Sequence, residues 1–301
     1  MAKVESGSLP AHTKLIPGGG KYRKILVAYD GSPSAKNALA IASQMARENQ
    51  SWIKVIAVLP SYQGDLELIG VKNIRETMEG PGRELLAEAQ RIADAGDFHI
   101  LTNLEQGEPF ERIVHVAEDE NCDLIVMGRK GLSPLERELM GSVTSRVIGH
   151  TSRDVLVVPE GARLTWGRLL LASDGVNCSD NATSKALSLA GDYGAQLTAL
   201  AVVYSNDEFL ALAHDIINGL VEKSRDRLAE LVQRGAETGV TITPVVREGE
   251  AHEAIIKQAE EQGADLIIMG SHGRKGLSRL LMGSVTERTI GYAECPVLVV
   301  H

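Results

Sequence analysis

The chain repeats itself. Residues 107–158 align without a gap to residues 249–300, and about half of the aligned positions are identical. The hexapeptide Leu-Met-Gly-Ser-Val-Thr recurs verbatim at 139–144 and 281–286. Two independent domains of similar composition do not produce such identity, so the chain is an internal duplication. Whatever fold one half adopts, the other must adopt as well.

The best-matched stretch runs from Asp123 to Thr144 and again from Asp265 to Thr286. Each copy begins with an apolar run of the buried-strand type, Leu124 to Met127 and Leu266 to Met269. A glycine-punctuated loop follows and opens a helix. The spacing G-x2-G-x9-G-S places Gly128, Gly131, Gly141 and Ser142 in one copy, and Gly270, Gly273, Gly283 and Ser284 in the other. Such a loop suits phosphate. Glycine lets a ligand approach the backbone, and a helix N-terminus offers unpaired N–H groups at a positive dipole end.

With 301 residues the chain suits two domains, and 44% hydrophobic but only 4% aromatic content calls for cores of Ala, Val, Ile and Leu. That suits α/β layers. A net charge of -9 argues against sequence-independent nucleic-acid binding, which needs a basic surface. Cys122, Cys178 and Cys295 are odd in number and far apart. They suggest neither a disulfide framework nor a zinc site, and fit a reducing cytoplasm. The first twenty residues lack an apolar core of the secretory type and read as a flexible arm. No apolar run approaches the length of a membrane span, so the expectation is a soluble, cytoplasmic protein.

Periodicity predicts strands at Lys24 to Tyr29, Trp52 to Val58, His99 to Leu104, Leu124 to Met127 and Val155 to Val158. Helices are expected from Ser32-Pro33 through Ala46, with Ser32 as cap, and at Pro81 to Ala95, Pro109 to Asp119 and Val143 to Ile148. Residues 60–80 stay unassigned. The order then repeats. Strands are expected at Leu169 to Ala172, Gln196 to Val203, Val240 to Val246, Leu266 to Met269 and Val297 to Val300. Helices are expected at Asp180 to Tyr193, Asp207 to Ala236 and Glu250 to Gln262. The organisation read from this is an arm (1–20), a first domain (21–159), a linker (160–167) and a second domain (168–301). Alternating strands and helices imply parallel sheets covered on both faces.

Several side chains could carry chemistry. Asp30 and Asp174 end the first strand of each half, where ligands of open α/β sheets gather; Asp-Gly is equally good turn chemistry. Ser142 and Ser284 either donate to a phosphate or cap the following helix. Arg129 and Lys130 in one loop, and His272, Arg274 and Lys275 in the other, are either anion ligands or solvated charges. His115 and His252 fall in predicted helices and read as surface residues. The chain has no P-loop, no G-x-G-x-x-G fingerprint and no nucleophile elbow.

The twin G-x2-G-x9-G-S loops, each with an Asp ending its first strand, resemble the universal stress protein family in its tandem-domain, ATP-binding form. The resemblance covers nearly everything after residue 21. It implies two five-stranded parallel sheets of order 3-2-1-4-5 with helices on both faces, and ATP (or ADP or AMP) at the strand C-termini. By motif, Asp30 and Asp174 would contact the nucleoside, and Val58 and Val202 would line the adenine pocket. Met127-Gly128 and Met269-Gly270 would flank adenine and ribose. Gly131, Gly141, Ser142 and Val143, with Gly273, Gly283, Ser284 and Val285, would hold the phosphates, bridged by Mg2+. The first copy departs from the family pattern at Arg153-Asp154, where the second has Cys295-Pro296, and at Pro134, Glu136 and Glu138. The last strands are expected to pair across a two-fold, within the chain and in a homodimer. Three functions follow for comparison: a nucleotide-dependent stress regulator, a slow ATPase or self-phosphorylating enzyme using Ser142 or Ser284, and a carrier of another small ligand.

Overall fold

A computed structural model of the chain describes residues 21–59, 74–131, 140–173, 181–205, 207–271 and 282–301. The expected arm, Asp174, Cys178, Gly273, the basic residues His272, Arg274 and Lys275, and Pro134, Glu136 and Glu138 lie outside these. The first half runs β1 (Lys24–Ala28), α1 (Pro33–Asn49), β2 (Trp52–Leu59), α2 (Ile74–Ala95), β3 (Ile100–Gln106), α3 (Pro109–Asp119), β4 (Leu124–Gly128), α4 (Ser142–His150) and β5 (Asp154–Val158). The second repeats it as β6 (Arg168–Ser173), α5 (Asn181–Tyr193), β7 (Gln196–Val203), α6 (Asp207–Glu237), β8 (Ile242–Glu248), α7 (Ala251–Gln262), β9 (Leu266–Gly270), α8 (Ser284–Tyr292) and β10 (Val297–Val300).

The strand order is β3-β2-β1-β4-β5-β10-β9-β6-β7-β8. Read from its own start, each half has the expected 3-2-1-4-5 order. As expected, the last strands of the two halves pair within the chain and join the two five-stranded sheets edge to edge: β5 and β10 run antiparallel, with Val297 opposite Val157 and Val299 opposite Val155. All other neighbours pair parallel. Both strands at this seam are flanked on both sides, so the expected pairing of last strands between chains has no open edge to use.

Apolar side chains alternate between two cores. Ile25, Val27, Leu39, Leu156, Leu169 and Ile268 belong to the core under α1, α2, α5 and α6. Leu26, Ile125, Val147, Val155, Ile267 and Ile290 belong to the one under α3, α4, α7 and α8. The helices of a half therefore divide between the faces at the β1–β4 junction, the switch point where α/β sheets bind ligands.

Local chemistry explains the boundaries. Ser32 caps α1 with its Oγ accepting from the Ala35 N–H at 3.2 Å, and Pro33 supplies a preset φ at the first turn. Helix α2 departs from expectation: it starts at Ile74 and carries Pro81 inside. Proline removes one backbone hydrogen bond. Packing outweighs that loss, since Leu86 and Ala89 bury against the sheet and Gly82 lies so close to Leu59 and Leu104 that a Cβ would collide with both.

The seam is also held by side chains. The Tyr22 hydroxyl donates to Asp154 Oδ2 at 2.7 Å, Lys185 Nζ lies 3.2 Å from the same oxygen, and the His301 N–H donates to Oδ1 at 3.3 Å. Burial, and then the Asp154 charge, push the Tyr22 hydroxyl well above its ordinary pKa. Asp154 stands where the second half has Pro296, so this departure between the copies belongs to the seam. The connection between β5 and β6 is strapped to α1: Asn37 Nδ2 donates to the carbonyls of Pro159 (2.8 Å) and Ala162 (2.9 Å), and Gln44 Nε2 to Leu164 O (3.0 Å). Trp166 then stacks on Tyr193 of α5 with centroids 4.3 Å apart.

Replacing Asp154 by Ala strips a buried hydroxyl and a partly buried ammonium of their shared acceptor. We expect a loss of about 2–3 kcal/mol, read as a lower urea midpoint in equilibrium unfolding. An unchanged midpoint would mean that strand pairing alone holds the halves together.

Candidate functional site

The β1–β4 junction brings together residues far apart in sequence. β1 is followed by Tyr29, whose N–H still bonds Ile56 O on β2 at 2.9 Å, and then by Asp30. Asp30 Oδ1 accepts the Ser32 N–H at 3.0 Å, and Gly31 takes a φ of +79°. The turn reading of Asp-Gly is thus realised. The other carboxylate oxygen faces the loop after β4, since a Cβ placed on Gly131 would come within 2.5 Å of Asp30 Oδ2. Tyr29 fixes the neighbourhood by donating to Glu88 of α2 at 2.7 Å, and Lys36 of α1 pairs with the same carboxylate at 2.7 Å. The Lys36 hydrogen bond, then that of Tyr29, lowers the Glu88 pKa.

The β4 loop is laced to the start of α1. Ser32 Oγ donates to Lys130 O at 3.2 Å, and Ser34 Oγ makes a short hydrogen bond to the same carbonyl. Gly128 is required there, because a Cβ would lie 2.8 Å from Ala35 N and closer still to Ser34 Oγ. The loop closes where the Gly141 N–H donates to Arg129 O at 2.9 Å. Thr144 Oγ1 donates to Gly128 O at 3.1 Å, tying the first turn of α4 to the end of β4.

The second half repeats this closure. The Gly283 N–H donates to Ser271 O at 3.1 Å, and Thr286 Oγ1 donates to Gly270 O at 3.2 Å. Gly141 and Gly283 are the N-caps of α4 and α8, both with φ -64° and ψ 141°, and neither cap has a side-chain hydrogen bond. This corrects one alternative. Ser142 and Ser284 do not cap these helices; they are the first helical residues, with exposed side chains. The first turns of α4 and α8 therefore present their N–H groups at the cleft without an intrahelical partner.

Not every glycine is there for the same reason. A Cβ on Gly141 would meet nothing nearer than 3.5 Å, and its φ is one that any residue adopts. Among the described residues, packing demands glycine at 128 and crowds Asp30 at 131, whereas a Cβ at 141 would make only ordinary contacts.

Val58, late in β2, and Val143, at the start of α4, are half-buried against the cluster that holds Met127, 4% exposed. Val202 and Met269 stand likewise in the second half, and Val285 is exposed. Both methionine side chains point into the core, so only the backbone at Met127-Gly128 and Met269-Gly270 can face the cleft. Asp174 and Gly273 lie outside the described residues.

The Arg129 side chain turns away from the glycine loop. Its guanidinium Nη1 donates to Ala293 O at 2.7 Å and Gly291 O at 3.2 Å, at the C-terminal end of α8 in the other half. Lys130 stays exposed. His115 is exposed, as expected, whereas His252 is half-buried with its ring 6.2 Å from that of Tyr292. Reading the sequence missed Ser32 as a loop ligand, Ser34, and the pair Thr144/Thr286. The threonines were recoverable, since they close the repeated hexapeptide. Among the described residues no group of three or more His, Cys, Asp or Glu side chains is placed to hold a metal ion, and no helix is long and apolar enough to cross a membrane.

The profile of the universal stress protein family matches residues 21–159 and again 165–301. A universal stress protein of Mycolicibacterium smegmatis is 28% identical over 92% of this chain and 96% of its own length. One from Methanocaldococcus jannaschii is 34% identical over 48% of this chain and 86% of its own length. The crystal structure of a universal stress protein from Archaeoglobus fulgidus superposes with a TM-score of 0.71 at 22% identity, covering 92% of this chain and 95% of that one. With its two matched halves, the chain belongs to the universal stress protein family.

Proposed function

We propose that the chain binds adenine nucleotide, ATP foremost, at two cradles formed by the glycine loops, and acts in the cytoplasm as a nucleotide-dependent regulator of a stress response. The observation that carries this reading is the open N-cap glycine. Gly141 and Gly283 share one backbone geometry at the mouths of two helices, and among the described residues nothing lies closer than 3.5 Å to a Cβ placed on Gly141. A phosphate bound to the first-turn N–H groups does require it. Residues 21–159 and 168–301 are, in this reading, the two binding units.

Each part of the cleft has a role by position. The first-turn N–H groups of Ser142, Val143 and their counterparts Ser284 and Val285 meet the phosphates, with the exposed serine hydroxyls beside them. Asp30 stands at the neighbouring strand end, where ribose hydroxyls would donate to its carboxylate; Asp174 has the same place in the sequence of the second half. Val58 and Val202 offer half-buried apolar walls to a base. The cleft suits a phosphate-bearing ligand with an apolar end better than it suits a purely apolar cargo. A magnesium ion accompanying the nucleotide would be held through the phosphates.

Exposure of Ser142 and Ser284 favours one alternative, slow transfer of a phosphoryl group to water or to the hydroxyl itself. ADP accumulating over hours in purified protein, and lost in Gly283→Val, would support it; a flat ADP trace would dismiss it.

Three results test the binding reading. Gly128→Ala should destabilise the ligand-free protein by about 1–3 kcal/mol through overpacking against α1, whereas Gly141→Ala should leave its thermal midpoint nearly unchanged. Native mass spectrometry with ATP should show two nucleotides on the wild-type chain, and one on either Gly141→Val or Gly283→Val. ATP at about a hundredfold excess over Kd should stabilise the wild-type protein by about 2.7 kcal/mol per site. Absence of both bound nucleotide and thermal shift would refute the reading.

A further inference from the structure

Arg129 belongs to one half by its backbone and to the other by its side chain. It follows Gly128 directly, its N–H bonds Val158 O at 2.9 Å, and its carbonyl accepts the Gly141 N–H at 2.9 Å. Its backbone is thus the floor of the first cradle. Its half-buried guanidinium reaches across the seam to Gly291 O (3.2 Å) and Ala293 O (2.7 Å). Those are carbonyls at the C-terminal end of α8, which a helix leaves unsatisfied and where its dipole favours a cation. The other end of α8 is Gly283-Ser284, the second cradle.

Helix α8 is only nine residues long, roughly 13 Å at the usual rise. So short a helix moves as a body, and whatever holds its last carbonyls also sets its first N–H groups. A return link exists. His301, one residue past β10, donates from its ring Nε2 to Ile148 O near the C-terminal end of α4 at 2.9 Å. The helix whose N-terminus forms the first cradle is therefore held from the second half. The duplicated position of Arg129 is Ser271, too short to reach across, so different residues serve the two directions.

We propose that Arg129 is a positioning residue that couples the two cradles: a nucleotide on the first cradle fixes the Arg129 backbone, which holds α8 and raises the affinity of the second. The proposal rests on the nucleotide reading above. Coupling of this kind is reciprocal, so a nucleotide at the second cradle raises the affinity of the first by the same factor.

Calorimetric titration with Mg-ATP on the wild-type chain, Gly141→Val, Arg129→Met and the double variant tests it. Blocking the first cradle with Gly141→Val should weaken the second by about tenfold, within the usual range of coupling factors. Arg129→Met should weaken the second cradle by a similar factor, and the first, measured with the second filled, by the same factor. Because both act through one link, the double variant should lose no more than either single one. Arg129→Lys keeps the charge near the same carbonyls and should recover part of the loss; it also stands in if Arg129→Met folds poorly. Hydrogen exchange of the Ser284–Tyr292 amides should quicken in Arg129→Met without ligand. Two cradles binding ATP with a second-site affinity indifferent to Arg129, or losses that multiply in the double variant, would overturn the coupling and leave the nucleotide reading standing. A wild-type chain that binds no ATP would overturn both.

Discussion

The antiparallel pairing of β5 with β10 is the contact on which the rest of the molecule depends. Each strand is short, apolar and the last of its half, and every residue of β10 is buried. Left bare, two such edges would recruit other chains. Pairing them inside one chain removes both edges and fuses two five-stranded sheets into one of ten. The open edges become β3 and β8, of which β8 carries Pro244, a residue that cannot donate to a further strand.

That pairing also fixes where the two clefts lie. Because it is antiparallel, the strand ends that carry one cleft lie beside the strand starts of the other half. The chain arrives at those starts from α4 and α8, so each cleft neighbours the end of the helix that opens the opposite cleft. Arg129 at the end of β4 and His301 at the end of β10 stand at these two places. A parallel seam would have put the two clefts side by side and left the helix C-termini at the far end of the sheet. The contacts of Arg129 with α8 and of His301 with α4 follow from the direction of one strand pair.

Much of this was legible in the residues. The duplication forced one fold on both halves, and the strands were readable because parallel, doubly covered strands are unbroken apolar runs: Leu124–Gly128 and Leu266–Gly270 differ little from expectation. The start of α2 was not legible, because Pro81 is a strong local helix-start signal, and the gain from seating Gly82 and Leu86 against the sheet is a tertiary term. Likewise the N-cap reading of Ser142 and Ser284 followed the usual preference for serine, whereas the cap is the glycine one residue earlier. Spacing shows that a glycine, a serine and a helix start coincide; it does not show which residue is half out of the helix. The destination of Arg129 was beyond reach for another reason. A basic residue in a glycine loop looks like an anion ligand until the partner half is in place.

Comparing the copies changes what the sequence differences mean. Asp154 stands against Pro296, and Arg129 against Ser271. In the fold they are seam residues. Asp154 gathers Tyr22, Lys185 and the His301 backbone, and Arg129 holds α8. These seam positions are among those where the halves differ, while the loop glycines Gly128, Gly131 and Gly141 with Gly270, Gly273 and Gly283 recur at the same spacing.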